Sequence, residues 1–269
     1  MTPPRFGQPP TVGTQLSHWN DVIDGHLAAS RPEEAVPLIR VILKSLPRHL
    51  PTYFRFLQAV WLLRRWREGR DWALRLLGAD PGSELAWAVL ARGAEADGNL
   101  TRAQRYWTLA LENAPYNRPI RQGLSRTLLR QKRPLMLTRP ALATLYRMGG
   151  RWDRAIRVYT KLTEEEPGRL DYRSSLLEAA WHDGRTEEAL HLARLLVSLN
   201  PNLLLGWIVS ARIGDEDDKA LARAPLEAMD PDGEYAITRF ADKNAFAFPT
   251  DVSVSPEDAA LLKAARTSF

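Results

Sequence analysis

The chain has 269 residues, 45% hydrophobic and 26% charged, a balance that belongs to a globular protein and excludes disorder of the whole chain. It contains no cysteine, so disulfides, thiolate nucleophiles, iron–sulfur clusters and cysteine zinc sites are excluded together. The net charge of +5 hides a division, because residues 1–150 carry 22 Lys and Arg against 11 Asp and Glu, and residues 151–269 carry 15 against 21.

The first residues, Met1 to Thr14, hold four prolines and no apolar run long enough for a signal-peptide core or a membrane span. They are expected to form a flexible arm over 1–15 on a cytoplasmic protein with no transmembrane segment. Beyond them the prolines count the chain. Pro47, Pro81 and Pro115 are 34 residues apart, and after a gap of 52 the series resumes with Pro167 and Pro201, again 34 apart.

The same period runs through the residues before each proline. Twenty-eight positions back stand Trp19, Tyr53, Trp87, Arg139 and Arg173, where the first helix of each unit is expected to start. Twelve back stand Ala35, Gly69, Ala103, Ala155 and Ala189, all small enough for two helices to cross closely. Eight back come Ile39, Ala73, Trp107, Tyr159 and Ala193, and five back Ile42, Leu76, Ala110, Leu162 and Leu196. Gly98, Gly150 and Gly184 are placed to end first helices. Trp19, Trp87 and Trp107 fall between helices and are expected in the core.

Over about residues 16–231 this pattern resembles the tetratricopeptide repeat, most clearly in Ala86 to Pro115 and Pro140 to Pro167. The resemblance implies an all-α fold, a right-handed α-solenoid of helical hairpins that share a continuous core because none can bury its apolar face alone. A first stack is expected over 16–131. The extra 18 residues of the long gap supply an unpaired helix, Arg118 to Gln131, with Ile120, Leu124 and Leu128 on one face. Pro134 then interrupts the pattern, giving a basic break or hinge over 132–137. A second stack follows over 138–231, its last unit four residues short and read as a cap with a truncated second helix. Residues 232–269 read as a tail without repeat pattern, with a short helix near 256–266 that Ser255 caps and Pro256 opens. That helix is expected to fold back on the repeats. The alternative is a partner-binding peptide anchored by Phe246 and Phe248.

In the family, first helices line a concave surface that holds peptides or extended segments. By that register the partner-binding candidates are Phe54, Gln58, Trp61, Arg92, Gln122, Arg126, Arg130, Arg147, Trp181 and Arg212, with Glu95 and His182 on the same face. Arginine forks match carboxylates and exposed aromatics serve as anchors, so the expected ligand is an extended acidic-hydrophobic segment of a partner protein. Some family members grip a C-terminal carboxylate with a lysine and asparagine clamp. Here Asn20 matches one place, but Asp24, Arg55, Leu85 and Val89 occupy others, so that clamp is not formed.

No catalytic, cofactor or metal residues are expected. The five histidines lack metal-ligand spacing, Asp215 to Asp218 lacks a calcium-loop pattern, and the Gly149–Gly150 turn has no phosphate-loop lysine or serine. The function expected is that of a non-catalytic scaffold or adaptor in protein complex assembly. The alternative is a nucleic-acid-associated or anionic-surface repeat protein, since residues 113–152 contain no acid and nine Lys and Arg.

Overall fold

A computed structural model describes residues 15–129, 134–240 and 252–267. Three hairpins come first: α1 (Leu16–Ala28) with α2 (Pro32–Ser45), α3 (Leu50–Leu63) with α4 (Trp66–Ala79), and α5 (Glu84–Ala96) with α6 (Leu100–Asn113). Helix α7 (Arg118–Leu129) follows singly. Three more hairpins are α8 (Arg139–Met148) with α9 (Trp152–Glu165), α10 (Leu170–His182) with α11 (Thr186–Leu199), and α12 (Leu204–Ile213) with α13 (Glu216–Met229). Helices α14 (Glu234–Phe240) and α15 (Pro256–Thr267) come last. The fold is an all-α helical-repeat solenoid.

The repeat columns are packing columns. Ala35, Ala103, Ala155 and Ala189 have no exposed surface, and a Cβ placed on Gly69 would lie 2.6 Å from Val60. Trp19 and Trp107 are fully buried, each worth on the order of 1.5–3 kcal/mol or more for its size, whereas Trp87 is only half-buried. Gly98, Gly150 and Gly184 take φ of +73°, +65° and +75°, the left-handed turn that ends each first helix without a Cβ clash.

Each helix after a repeat proline begins three residues beyond it, at Leu50, Glu84, Arg118, Leu170, Leu204 and Glu234. The helices at Trp19, Tyr53, Trp87 and Arg173 therefore start three residues earlier than expected. The reason these positions share a residue class is a hydrogen bond. The Tyr53 hydroxyl donates to the Pro47 carbonyl, Trp87 Nε1 to Pro81, Arg173 Nε to Pro167 and Trp207 Nε1 to Pro201, at 2.5 to 3.2 Å. Arg173 fits a column of aromatics because the column selects a donor tip, which satisfies a carbonyl in the turn between units.

Two expectations at the ends are corrected. The second helix of the last hairpin is full length, 14 residues, and it is α12 and its connection that are short. The acidic run there is no loose turn: Asp215 and Asp218 form a reciprocal capping box and both pair with Arg194. The segment after Gly233 is no patternless tail either, since α14 starts three residues beyond Pro231, as the other first helices start beyond their prolines.

The chain closes on itself. Helix α8 packs against α6, and Thr144 Oγ1 donates to the Glu112 carbonyl at 2.6 Å. Asn200 donates to the Gly78 carbonyl, and Arg48 to Asn202, tying the turn after α11 to the first hairpins. Helix α15 folds back onto α2, where Asp258 bonds Ser45 and Ser255, and the Leu16 amide donates to Val252. One apolar cluster therefore runs from α1–α4 through the second series to α15, while α5, α6 and α7 share a second. Phe246 and Phe248 lie outside the described residues.

Candidate functional site

Helix α14 occupies the place where the first helices were expected to leave an open groove. It lies against α3, with Tyr235 stacked on Phe54 at 6.4 Å and Phe240 against Trp181 at 5.2 Å. Asp230 caps it, accepting from the Tyr235 and Ala236 amides at 2.9 and 3.0 Å in a site with no solvent exposure. Burial outweighs those two bonds and pushes the Asp230 carboxyl up to about 7.

Around α14 the charges pair closely. Arg55 donates to both oxygens of Glu234, at 2.8 and 2.9 Å, and to both oxygens of Asp24, at 2.7 and 2.8 Å. Asn20 donates to Glu234 at 3.1 Å. Two of the positions compared with the family's carboxylate clamp thus do hold a carboxylate, one supplied by the chain itself. Arg239 pairs with Asp80 at 2.9 Å and approaches Glu178 at 3.7 Å, while Arg147 closes on the other Glu178 oxygen. Burial alone would raise the Glu178 carboxyl, but Arg147 and then Arg239 outweigh it and hold it below its ordinary value. His182, stacked on Trp152 at 4.5 Å, is pushed down by burial against the opposing pull of Glu178.

A second group of candidates remains accessible at the other end of α3 and α5. The Arg92 guanidinium lies 5.9 Å from the ring of Trp61, 5.6 Å from Trp66 and 6.0 Å from Trp107. Glu95 organises this shelf: it accepts from Arg92 and from Trp107 Nε1 at 3.0 Å and pairs with Arg126 at 3.6 Å. The Arg92 and Arg126 side chains keep 34% and 46% of their surface, so both still offer donors outward.

The predicted residues therefore separate. Trp61, Arg92 and Arg126 come together; Gln122 is exposed on α7 and Gln58 on α3; Arg212 is exposed on α12. Phe54, Arg147 and Trp181 are drawn into contacts with α14 or Glu178, which removes them from an open surface. Arg130 lies outside the described residues. Sequence reasoning missed Trp66, Glu234, Tyr235 and Arg239. The only signal for the last three was Pro231, the repeat proline that starts α14.

In three dimensions, acids from elsewhere meet three arginines of the acid-free stretch. Arg126 meets Glu95, Arg139 meets Glu165 at 2.9 Å, and Arg147 meets Glu178. No helix among the described residues is long and apolar enough to cross a membrane.

Hairpins of this length, period and glycine-ended first helix define a helical-repeat protein. Residues 141–203, from α8 to the turn before α12, match the Tetratricopeptide repeat family, so this part of the chain is built of tetratricopeptide repeats. No curated protein matches the chain in sequence. Among solved structures it superposes on "Structure of Naa15/Naa10 bound to HypK-THB" at TM-score 0.35 and 14% identity, covering 94% of this chain and 33% of that one. It superposes on "TPR2AB-domain:pHSP90-complex of yeast Sti1" at 0.35 and 15%, covering 93% and 96%. For "Crystal structure of APC/C hetero-tetramer Cut9-Hcn1" the values are 0.34, 12%, 93% and 49%. The chain thus spans about a third of the first of these and half of the third.

Proposed function

We propose that the protein is a non-catalytic adaptor that holds an extended acidic-hydrophobic segment of a partner protein on the shelf formed by Trp61, Trp66, Arg92 and Arg126. A helical-repeat scaffold presents the ends of successive first helices side by side, which suits an extended ligand. The observation that carries the reading is the partly exposed Arg92 guanidinium over the Trp61 and Trp66 rings, with the half-exposed Arg126 beside it on Glu95. The rings give apolar anchoring and hold the Arg92 fork, and the forks match carboxylates of the partner. Gln122, one turn before Arg126 on α7, and Gln58, one turn before Trp61 on α3, extend the polar rim.

The pairing of Arg126, Arg139 and Arg147 with acids speaks against a nucleic-acid backbone as the ligand, since a phosphate track needs cations of one sign in a row. The test is affinity capture from the protein's own cell lysate, with and without nuclease, comparing wild type with Arg126→Glu. A stoichiometric protein that survives nuclease and is lost from Arg126→Glu is expected. Equal capture by both proteins overturns the shelf assignment, and a retained nucleic acid without a protein overturns the ligand class.

A further inference from the structure

On the shelf the repeat sets side chains in rows across neighbouring first helices. Gln58, Arg92 and Arg126 are 34 residues apart and hold the same place on α3, α5 and α7. Three residues further along the same helices stand Trp61, Glu95 and Leu129. A row of an amide and two guanidiniums therefore runs beside a row of a ring, a carboxylate and a leucine that is 69% exposed.

The charges in these rows do not balance. Arg92 and Arg126 share one carboxylate, Glu95, so one positive charge is left over. It belongs to Arg126. Arg92 donates to Glu95 at 3.0 Å, whereas Arg126 meets the same carboxylate only at 3.6 Å, outside hydrogen-bond range. The Arg126 fork thus keeps its donors for a second carboxylate.

The spacing of the shelf sets where that carboxylate must come from. The links from the Trp61 ring to Arg92, from Arg92 to Glu95 and from Glu95 to Arg126 are 5.9, 3.0 and 3.6 Å, so ring and far guanidinium stand no more than about 14 Å apart. An extended chain advances about 3.3 Å per residue and turns alternate side chains to one face. From an anchor on Trp61, the side chain at i+2 therefore reaches Arg92 and the one at i+4 reaches Arg126. An α-helical segment, rising about 1.5 Å per residue, would need about eight or nine residues for the same step.

We infer that the shelf selects an extended partner segment by one register: an apolar side chain at i on Trp61 and Trp66, and a carboxylate at i+4 on Arg126. The inference rests on the adaptor reading of the shelf and adds the spacing that its ligand must carry. One ligand carboxylate brings Arg92, Arg126 and Glu95 to neutrality, and the Arg126 fork can hold it bidentately. A carboxylate at i+2 would meet Arg92, whose fork already serves Glu95, and would crowd two like charges on one guanidinium.

The test uses glycine–serine peptides with amidated C-termini and one uncharged dye, each carrying one phenylalanine and one glutamate, the glutamate at i+2, i+4 or i+8. They are titrated against the full chain by fluorescence anisotropy, up to about 1 mM. The i+4 peptide is expected to bind about tenfold tighter than the other two, the worth of one charge-assisted hydrogen-bonded pair. Replacing its glutamate by glutamine should remove that advantage, and Arg126→Gln should remove it to the same extent. Equal binding at all three spacings overturns the register, and the shelf itself still stands if Arg126→Gln weakens every peptide. Tightest binding of the i+8 peptide overturns the extended conformation and assigns a helix instead. No binding by any peptide also overturns the register, while lysate capture by wild type and Arg126→Glu decides the shelf separately.

Discussion

Two sets of arginines descend from comparable faces of this solenoid and meet opposite fates. Arg55 and Arg147 beside α14, with Arg239 on it, are consumed by Asp24, Glu234, Glu178 and Asp80. Arg92 and Arg126 share one acid, Glu95, and keep a third to a half of their side chains in solvent. Position in the repeat does not explain the difference, because Arg55 and Arg92 both belong to first helices of adjacent hairpins. What separates them is the return of the chain: α14 comes back onto α3 with a carboxylate and an aromatic ring, and among the described residues nothing comparable returns to the shelf. Availability for a partner is thus set by which stretch of the groove the chain has already filled.

The largest expected effect breaks the filled region. Arg239→Met would leave Asp80 and Glu178, both less than 10% exposed, as buried carboxylates short of a partner, and should cost about 3–5 kcal/mol in chemical denaturation. Next is the foundation of the shelf. A Cβ on Gly123 would stand 2.5 Å from the Trp107 ring, so Gly123→Ala should push α7 off α6 and cost about 1–3 kcal/mol, read from the same curves. Acid offers a gentler separation. The folded-state carboxyl of Glu178 lies below its ordinary 4.5, so the stability it contributes is present above that value and is lost as pH falls through the lower, folded one. Tryptophan and tyrosine emission around Trp181 and Tyr235 should therefore change below about pH 4.5. The smallest effect sharpens the contrast. Arg126 is 46% exposed and shares Glu95 with Arg92, so Arg126→Glu should change stability by no more than about 0.5–1 kcal/mol while abolishing partner capture.

Much of the architecture was legible in residue spacing. The small column at Ala35, Gly69, Ala103, Ala155 and Ala189 and the buried column ending in Tyr159 and Ala193 are repeated because each hairpin solves one packing problem in the same way. The fold-back of α15 was readable from Ser255, Pro256 and its apolar face, since a short helix must find a surface. The site was less legible. Trp61, Arg92 and Arg126 could be placed on one surface from register, but Phe54, Arg147 and Trp181 could not be seen to be occupied. Their partners, Tyr235, Glu178 and Phe240, are 181, 31 and 59 positions away in sequence, and register carries no information about such meetings.

The sequence alone determined what depends on neighbours along the chain: the 34-residue period, the prolines that start helices, the glycines that stop them and the faces that must be buried. Those are consequences of backbone geometry and local sterics, which a few consecutive residues specify. Tertiary structure alone decided which arginines stay exposed and that Glu234 meets Arg55 beside α3. These depend on charges brought within a few ångströms by the closure of the whole chain, and a Coulomb interaction has no record in sequence order.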